Sequence, residues 1–217
     1  MTPLCFRPVL LTFALLAASG CARTASEPGD PSTTTPSTSP PADIRLVRGE
    51  EAPSDQAYAY FAGGCFWGVE HFLERMDGVI DVESGFMGGH KDNPTYEDVL
   101  SHTTGHLEAV RVRYDPSRVS YRALAKRFFE IHDPTQTDGQ GPDIGDQYLS
   151  AVFVADDAQR ETTEALIATL EARGYDVATT IRPAAAFWKA EGYHQDYYAR
   201  NGKKPYCHVP VDRFGDG

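Results

Sequence analysis

The order of elements along this chain predicts a helix-on-sheet sandwich of the α/β or α+β class, and three observations carry the prediction. Segments of strand-like alternation and of helical spacing take turns from about Gln56 onward. The globular stretch, from there to about Phe214, has the length of one domain with a sizeable core. Beyond Arg182 the regular pattern gives way to aromatic, polar and Gly/Pro-containing sequence, which predicts a long irregular C-terminal segment wrapped on that core.

Each element has its own signature. Residues 57–62 are apolar and aromatic like a buried strand, and Gly63-Gly64 interrupts them. From Cys65, the positions Phe66, Val69, Leu73 and Met76 fall at helical spacing and stop before Asp77-Gly78. Glu108, Val110, Val112 and Tyr114 alternate with Ala109, Arg111 and Arg113, a half-buried strand closed by Asp115-Pro116. Tyr121, Leu124, Ala125 and Phe128 mark a helix with Ser120 as its N-cap and His132-Asp133-Pro134 as its stop. A strand over 151–155, a helix over 158–173 ending at Gly174, and a strand over 177–181 complete the regular part.

The N-terminus is set apart. Arg7 and the terminal amine supply a positive end, residues 9–18 are almost wholly apolar, and Ala18-Ser19-Gly20 precedes Cys21, the form of a secretory signal peptide over 1–20. The cysteine directly after the small residues resembles a bacterial lipoprotein signal, in which Cys21 receives lipid. From Thr24 to Pro41, 14 of 18 residues are Ser, Thr or Pro, a composition that stays extended and solvated. Residues 21–55 are therefore expected to act as a tether, at up to roughly 3 Å per residue, leaving 56–217 as the functional domain. Ala22 after the lipidated position points to the outer membrane, with the domain facing the periplasm.

Composition narrows the function. The net charge of −11, from 20 Lys+Arg against 31 Asp+Glu, argues against a nucleic-acid partner, which needs a basic face. Four cysteines are too few for a disulfide framework, and Cys5 leaves with the signal. Of the rest, Cys65 follows two glycines and opens a helix, where unpaired N–H groups favour a nucleophilic thiolate. Position alone allows an inert buried thiol equally well. Trp67 lies off the stripe of Phe66, Val69 and Leu73, so it is either exposed or part of a pocket wall. Cys207 is the other cysteine of the globular region, and in an oxidising compartment it would form a static bridge with Cys65 or cycle with it. A reactive Cys65 favours cycling, with a mobile tail carrying Cys207 to it.

Gly64-Cys65-Phe66-Trp67-Gly68-Val69-Glu70, Asn93-Pro94-Thr95-Tyr96, Thr104-Gly105-His106 leading to Glu108-Ala109-Val110, His132-Asp133-Pro134, Gln140-Gly141 with Asp143, and Gln147-Tyr148 together resemble the A-type peptide methionine sulfoxide reductases. The likeness spans the globular region in order. It implies an α+β two-layer sandwich with a ferredoxin-like core and a long coiled C-terminal segment, no cofactor, and reduction of the S epimer of methionine sulfoxide, free or in proteins. Recycling by a thioredoxin or thioredoxin-like dithiol, and a monomer, are expected with it.

The residues suit such chemistry. A sulfoxide sulfur is a poor electrophile until its oxygen is protonated or strongly hydrogen-bonded. Glu108 shares the apolar parity of Val110 and Val112, so burial should keep its carboxyl protonated. Tyr96 and Tyr148 can donate hydroxyl hydrogen bonds to the oxygen without adding charge. Phe66 and Trp67 would hold the S-methyl group between rings. Asp143 matches a family position that orders water or a tyrosine hydroxyl, and Cys207 would condense with a Cys65 sulfenic acid. Phe86 stands where many members have Tyr, and no cysteine follows Cys207, so the Cys65–Cys207 disulfide is expected to meet the reductant directly. The rival readings are a cysteine hydrolase with a base among His71, His106, His132, His194 and His208, a metal-binding protein using His102, His106, Cys207 and His208, and a tethered adhesion module.

Overall fold

A computed structural model describes residues 55–215. The expected signal peptide, the Cys21 lipidation site and the tether up to Ser54 lie outside the described residues. Strands β1 (Ala57–Gly63), β2 (Val79–Met87), β3 (Leu107–Tyr114) and β6 (Ser150–Val154) form the centre of one sheet, flanked by β7 (Thr180–Pro183) and β8 (Trp188–Lys189). Its order is β7-β6-β1-β3-β2-β8, and β4 (Gly139–Gln140) pairs with β5 (Asp143–Ile144) as a separate short hairpin. The helices are α1 (Phe66–Leu73), α2 (Tyr96–Leu100), α3 (Tyr121–Ile131), α4 (Asp157–Ala172) and α5 (Tyr197–Asn201). The central order β6-β1-β3-β2, antiparallel throughout, with α1 after β1 and α3 and α4 around β6, is the ferredoxin-like arrangement.

Strand parity places the core. Ala59, Phe61, Val82, Val110, Val112, Val152 and Val154 meet Phe66, Val69 and Leu73 of α1, Leu124 and Phe128 of α3, and Leu166 and Leu170 of α4. A smaller cluster of Ala62, Met87, Leu107, Ala109, Ala151 and Phe153 fills the opposite face. Burying such side chains stabilises by about 1.5–3 kcal/mol each, an upper figure because the unfolded chain is not fully extended. The caps follow the sequence: the Ser120 side chain accepts from Ala123 N–H, and Asp156 does the same for Gln159.

The differences from expectation have local causes. The strand expected at 177–181 begins at Thr180, because Ala178 N–H is already bonded to the carbonyl of Pro134. Strand β2 and helix α2 carry too little periodicity to stand out, the first placing Asp81 and Glu83 ahead of a four-residue buried end, the second being one turn. The C-terminal segment is irregular as expected, with two short elements pinned by side chains. Gln195 does most of this pinning on the β2 edge: its amide oxygen accepts from Ser84 N–H at 3.0 Å, and its NH₂ donates to Ser84 O at 2.9 Å and Ala190 O at 3.0 Å.

Candidate active site

The chain leaves β1 through Gly64, whose φ of +84° suits glycine, and whose missing side chain would lie 2.3 Å from Gln140 Cβ. That bend delivers Cys65 as the N-cap of α1. Cys65 is 5% exposed, and its thiol shares a hydrogen bond with Cys207. Both cysteines are free and buried. The tail therefore already holds Cys207 against Cys65 in the reduced protein, with no long swing to make.

The expectation of a Cys65 thiolate needs correction for this state. A backbone N–H of α1, that of Trp67, does pull the thiol down, but it is outweighed. The hydrogen bond to Cys207, burial, and the nearby Glu108 carboxyl push Cys65 well above an ordinary thiol. Cys207 is held below one, by the hydrogen bond from Cys65 and by His208.

Glu108 sits on β3 opposite Phe86 of β2, 2% exposed, facing the helices as its parity requires. Its Oε2 accepts from Phe66 N–H at 3.1 Å, so the carboxyl rests on the first turn of α1 beside Cys65. Burial is the largest influence and lifts its pKa to about 8, leaving it neutral at pH 7. Tyr96 opens α2, where Thr95 and Asp98 form a reciprocal capping box. Its hydroxyl hydrogen-bonds that of Tyr148, which a 3-10 turn over Asp146–Tyr148 presents. Burial and the Glu108 carboxyl raise both phenols, Tyr148 to about 12. Two phenols, a neutral acid and a thiol thus face one another, an arrangement able to hydrogen-bond an oxygen and strike the atom bearing it.

Phe66 and Trp67 part company. Phe66 is 1% exposed, packed on Phe86 with ring centroids 5.9 Å apart. Trp67 is half-buried and stacked on Tyr197 at 3.8 Å and 8°. Its indole N–H donates to His194 Nδ1 at 3.2 Å. His194, which the sequence offered only as a candidate base of the rival hydrolase, is buried between Phe66, Trp67 and Tyr96 beside Cys65's helix. Burial lowers its pKa, consistent with a neutral ring that accepts at Nδ1. Glu191 ties the same tail to α2, accepting from Tyr96 N–H at 3.0 Å. Glu70 of α1 is a second acid that the sequence reading passed over as chemistry. Its buried carboxyl lies by the backbone N–H groups of Asp196 and Tyr197, which pull its pKa down, but burial outweighs them and raises it to about 8.

Asp143 accepts the Tyr206 hydroxyl at 3.0 and 2.9 Å on its two oxygens, so it fastens the residue next to Cys207. Gln140, also on the hairpin, donates to the carbonyl of Cys207 at 3.4 Å. Among the rival bases, His208 is the one bonded to a thiol, and that thiol is Cys207, with Nδ1 3.0 Å from Sγ. His132 is enclosed by Phe128 O and Ser150 Oγ, and His106 by Gly89 N–H and Lys91 O.

The family pattern described as "Peptide methionine sulfoxide reductase" matches residues 57–216. The protein named peptide methionine sulfoxide reductase MsrA 1 of Rhodopirellula baltica is 45% identical over 172 residues, covering 79% of this chain and 89% of that protein. The MsrA of Saccharolobus solfataricus is 45% identical over 154 residues, 70% of this chain and 87% of its own. Among solved structures, reduced Mxr1 of Saccharomyces cerevisiae superposes with a TM-score of 0.69 at 34% identity, covering 74% of this chain and 94% of that one. Methionine sulfoxide reductase A of Corynebacterium diphtheriae gives 0.63 at 32%, covering 74% and 85%. The fold agrees with these likenesses, and the chain belongs to the peptide methionine sulfoxide reductase family, as an A-type, thiol-dependent enzyme.

Proposed function

We propose that this enzyme reduces the S epimer of methionine sulfoxide with Cys65 as nucleophile, Glu108 as acid and Cys207 as resolving thiol. The observation that carries the reading is a buried, neutral Glu108 hydrogen-bonded to the backbone one residue from a cysteine that is itself paired with a second. Tyr96, Tyr148 and Glu108 hydrogen-bond the sulfoxide oxygen. Trp67, held by Tyr197 and His194, supplies the aromatic wall for the S-methyl group, and Phe66 backs it from the core.

Cys65 sulfur attacks the sulfoxide sulfur, and Glu108 protonates the oxygen. The oxygen then passes to Cys65, leaving a sulfenic acid and methionine. The thiol proton of Cys65 restores Glu108, so the sulfoxide gains two electrons, Cys65 loses two, and no proton is left over. Placing the developing S–O⁻ among preorganised donors is the main source of rate.

Cys207 then condenses with the sulfenic acid. A thioredoxin-like dithiol opens the disulfide, a reading supported by the thiol pair and by Mxr1 of S. cerevisiae, known in complex with Trx2. The apolar run at 9–18 and Cys21 support a lipid-anchored envelope enzyme that acts on oxidised proteins or free methionine sulfoxide as a monomer. The test of the reading is Cys207→Ser. It should release about one methionine per enzyme, as one unresolved sulfenic acid allows, and then stall; normal turnover with thioredoxin would remove Cys207 from the cycle.

A further inference from the structure

We propose that His208 is the general base of the resolving step, taking the Cys207 thiol proton at Nδ1 and handing it to the hydroxyl that leaves Cys65. The proposal rests on the Cys65–Cys207 pairing above and assigns the residue that drives it.

The tautomer is fixed by a carbonyl. His208 Nε2 lies 2.7 Å from Gly63 O, and a carbonyl oxygen only accepts, so Nε2 carries the hydrogen. In the neutral ring Nδ1 then presents a bare lone pair, and the atom in front of it is Cys207 Sγ at 3.0 Å. A residue serving only as an anchor for the tail would need the Nε2 bond alone. The second bond aims a base at a reacting sulfur.

The fold makes room for this ring. His208 is 1% exposed, lying flush against α1 at Gly68. A Cβ on Gly68 would come 2.1 Å from Nδ1 and 2.7 Å from Cγ, so any side chain there would push the imidazole off the sulfur. The same carbonyl that orients the ring belongs to the strand end from which Cys65 is launched. One backbone bend therefore sets both the nucleophile and the base of its partner.

The step balances. Cys207–SH gives its proton to Nδ1 while its sulfur attacks Cys65 sulfur. The S–S bond forms, the Cys65 S–O bond breaks, and the departing hydroxide takes the proton from the imidazolium to leave as water. Both sulfurs end at the disulfide level, Cys207 oxidised and Cys65 reduced by one formal electron each, with no outside oxidant or reductant.

His208→Gln tests this, because the amide can still donate to Gly63 O but cannot hold a transferable proton. The reduced protein is mixed with one equivalent of methionine S-sulfoxide, and disulfide formation is followed by rapid quench and normalised to the methionine released. Disulfide formation should slow by a factor on the order of 10², and its rate should climb about tenfold per pH unit with the Cys207 thiolate, more steeply than in the native protein. The titratable neighbours facing the pair are Cys65 of α1, Glu108 of β3, Asp143 of β5, His132 beyond α3, Tyr198 of α5 and Tyr206, and all are retained in the variant. His208→Asn, which fills the Nδ1 side and loses the Gly63 bond, should show the same steepened profile. Slowing with an unchanged pH profile in both variants would make His208 an anchor only, and native rates would overturn the role outright. Absence of a Cys65–Cys207 disulfide in the native protein would sink the pairing itself and the proposal with it.

Discussion

At the scale of single residues the site works by keeping charge off groups that must give protons. Glu108 has its pKa raised to about 8, chiefly by burial, so it is a competent acid at neutral pH and ceases to be one as pH rises past that value. The rate of methionine release should therefore fall above about pH 8. Glu108→Gln should cut that rate by a factor on the order of 10² and abolish this limb of the profile; single-turnover rates across pH decide it. Glu70 is raised to about 8 by the same cause. A carboxyl with a raised folded pKa binds more protons folded than unfolded, so its contribution to stability is full below its unfolded pKa and is lost as pH rises through about 8. Glu70→Gln keeps an oxygen for the Asp196 and Tyr197 N–H groups. It should flatten that part of the denaturation midpoint's fall between about pH 4.5 and 8, where the model and folded values lie.

At the scale of elements the site is a junction between one bend and one strap. The bend is Gly64. Alanine there meets both an unfavourable φ, costing about 1–2 kcal/mol, and the Gln140 side chain, so Gly64→Ala should lower the melting temperature and slow the first step by displacing Cys65. The strap is the tail, bonded through Gln195 to β2 and through Glu191 to α2, with Asp196 and Tyr197 set against Glu70 of α1. Gln195→Ala removes three hydrogen bonds to backbone atoms, each worth about 0.5–1.5 kcal/mol net. It should raise KM more than it lowers the rate of chemistry, because Trp67 loses the orderly stack on Tyr197; Trp67 fluorescence and steady-state kinetics report the two effects.

Legibility divides along the same line. Glu108 was readable because strand parity is a period of two, and burial followed from parity. Helices α1, α3 and α4 were readable from spacing and caps. The tail was not, because it is held by Gln195, Glu191 and His194 at isolated positions, and no period marks a side chain that substitutes for a strand partner. The place of Cys65 at the head of α1 was legible, but the upward push on its pKa was not, since that depends on Cys207 and Glu108 across the fold.

At the scale of the whole molecule, a ferredoxin-like sheet presents a thiol and an acid from adjacent elements, and a wrapped C-terminus returns the second thiol to the first. On the proposed cycle the two cysteines of the globular region suffice for the oxidative half, and an outside dithiol then opens the disulfide. If the N-terminal segment is processed as its sequence implies, Cys21→Ser should move the enzyme from the membrane fraction to the soluble one without loss of activity, which fractionation and assay of the full chain would show.

The most direct test of the thiol pair is an intact-mass measurement on the reduced protein before and after one equivalent of methionine S-sulfoxide, with the disulfide mapped by peptide digestion. The expected result is one methionine released, a loss of about 2 Da as two thiol hydrogens depart, and a single link between Cys65 and Cys207. An unchanged mass with both thiols still free to react would contradict the account.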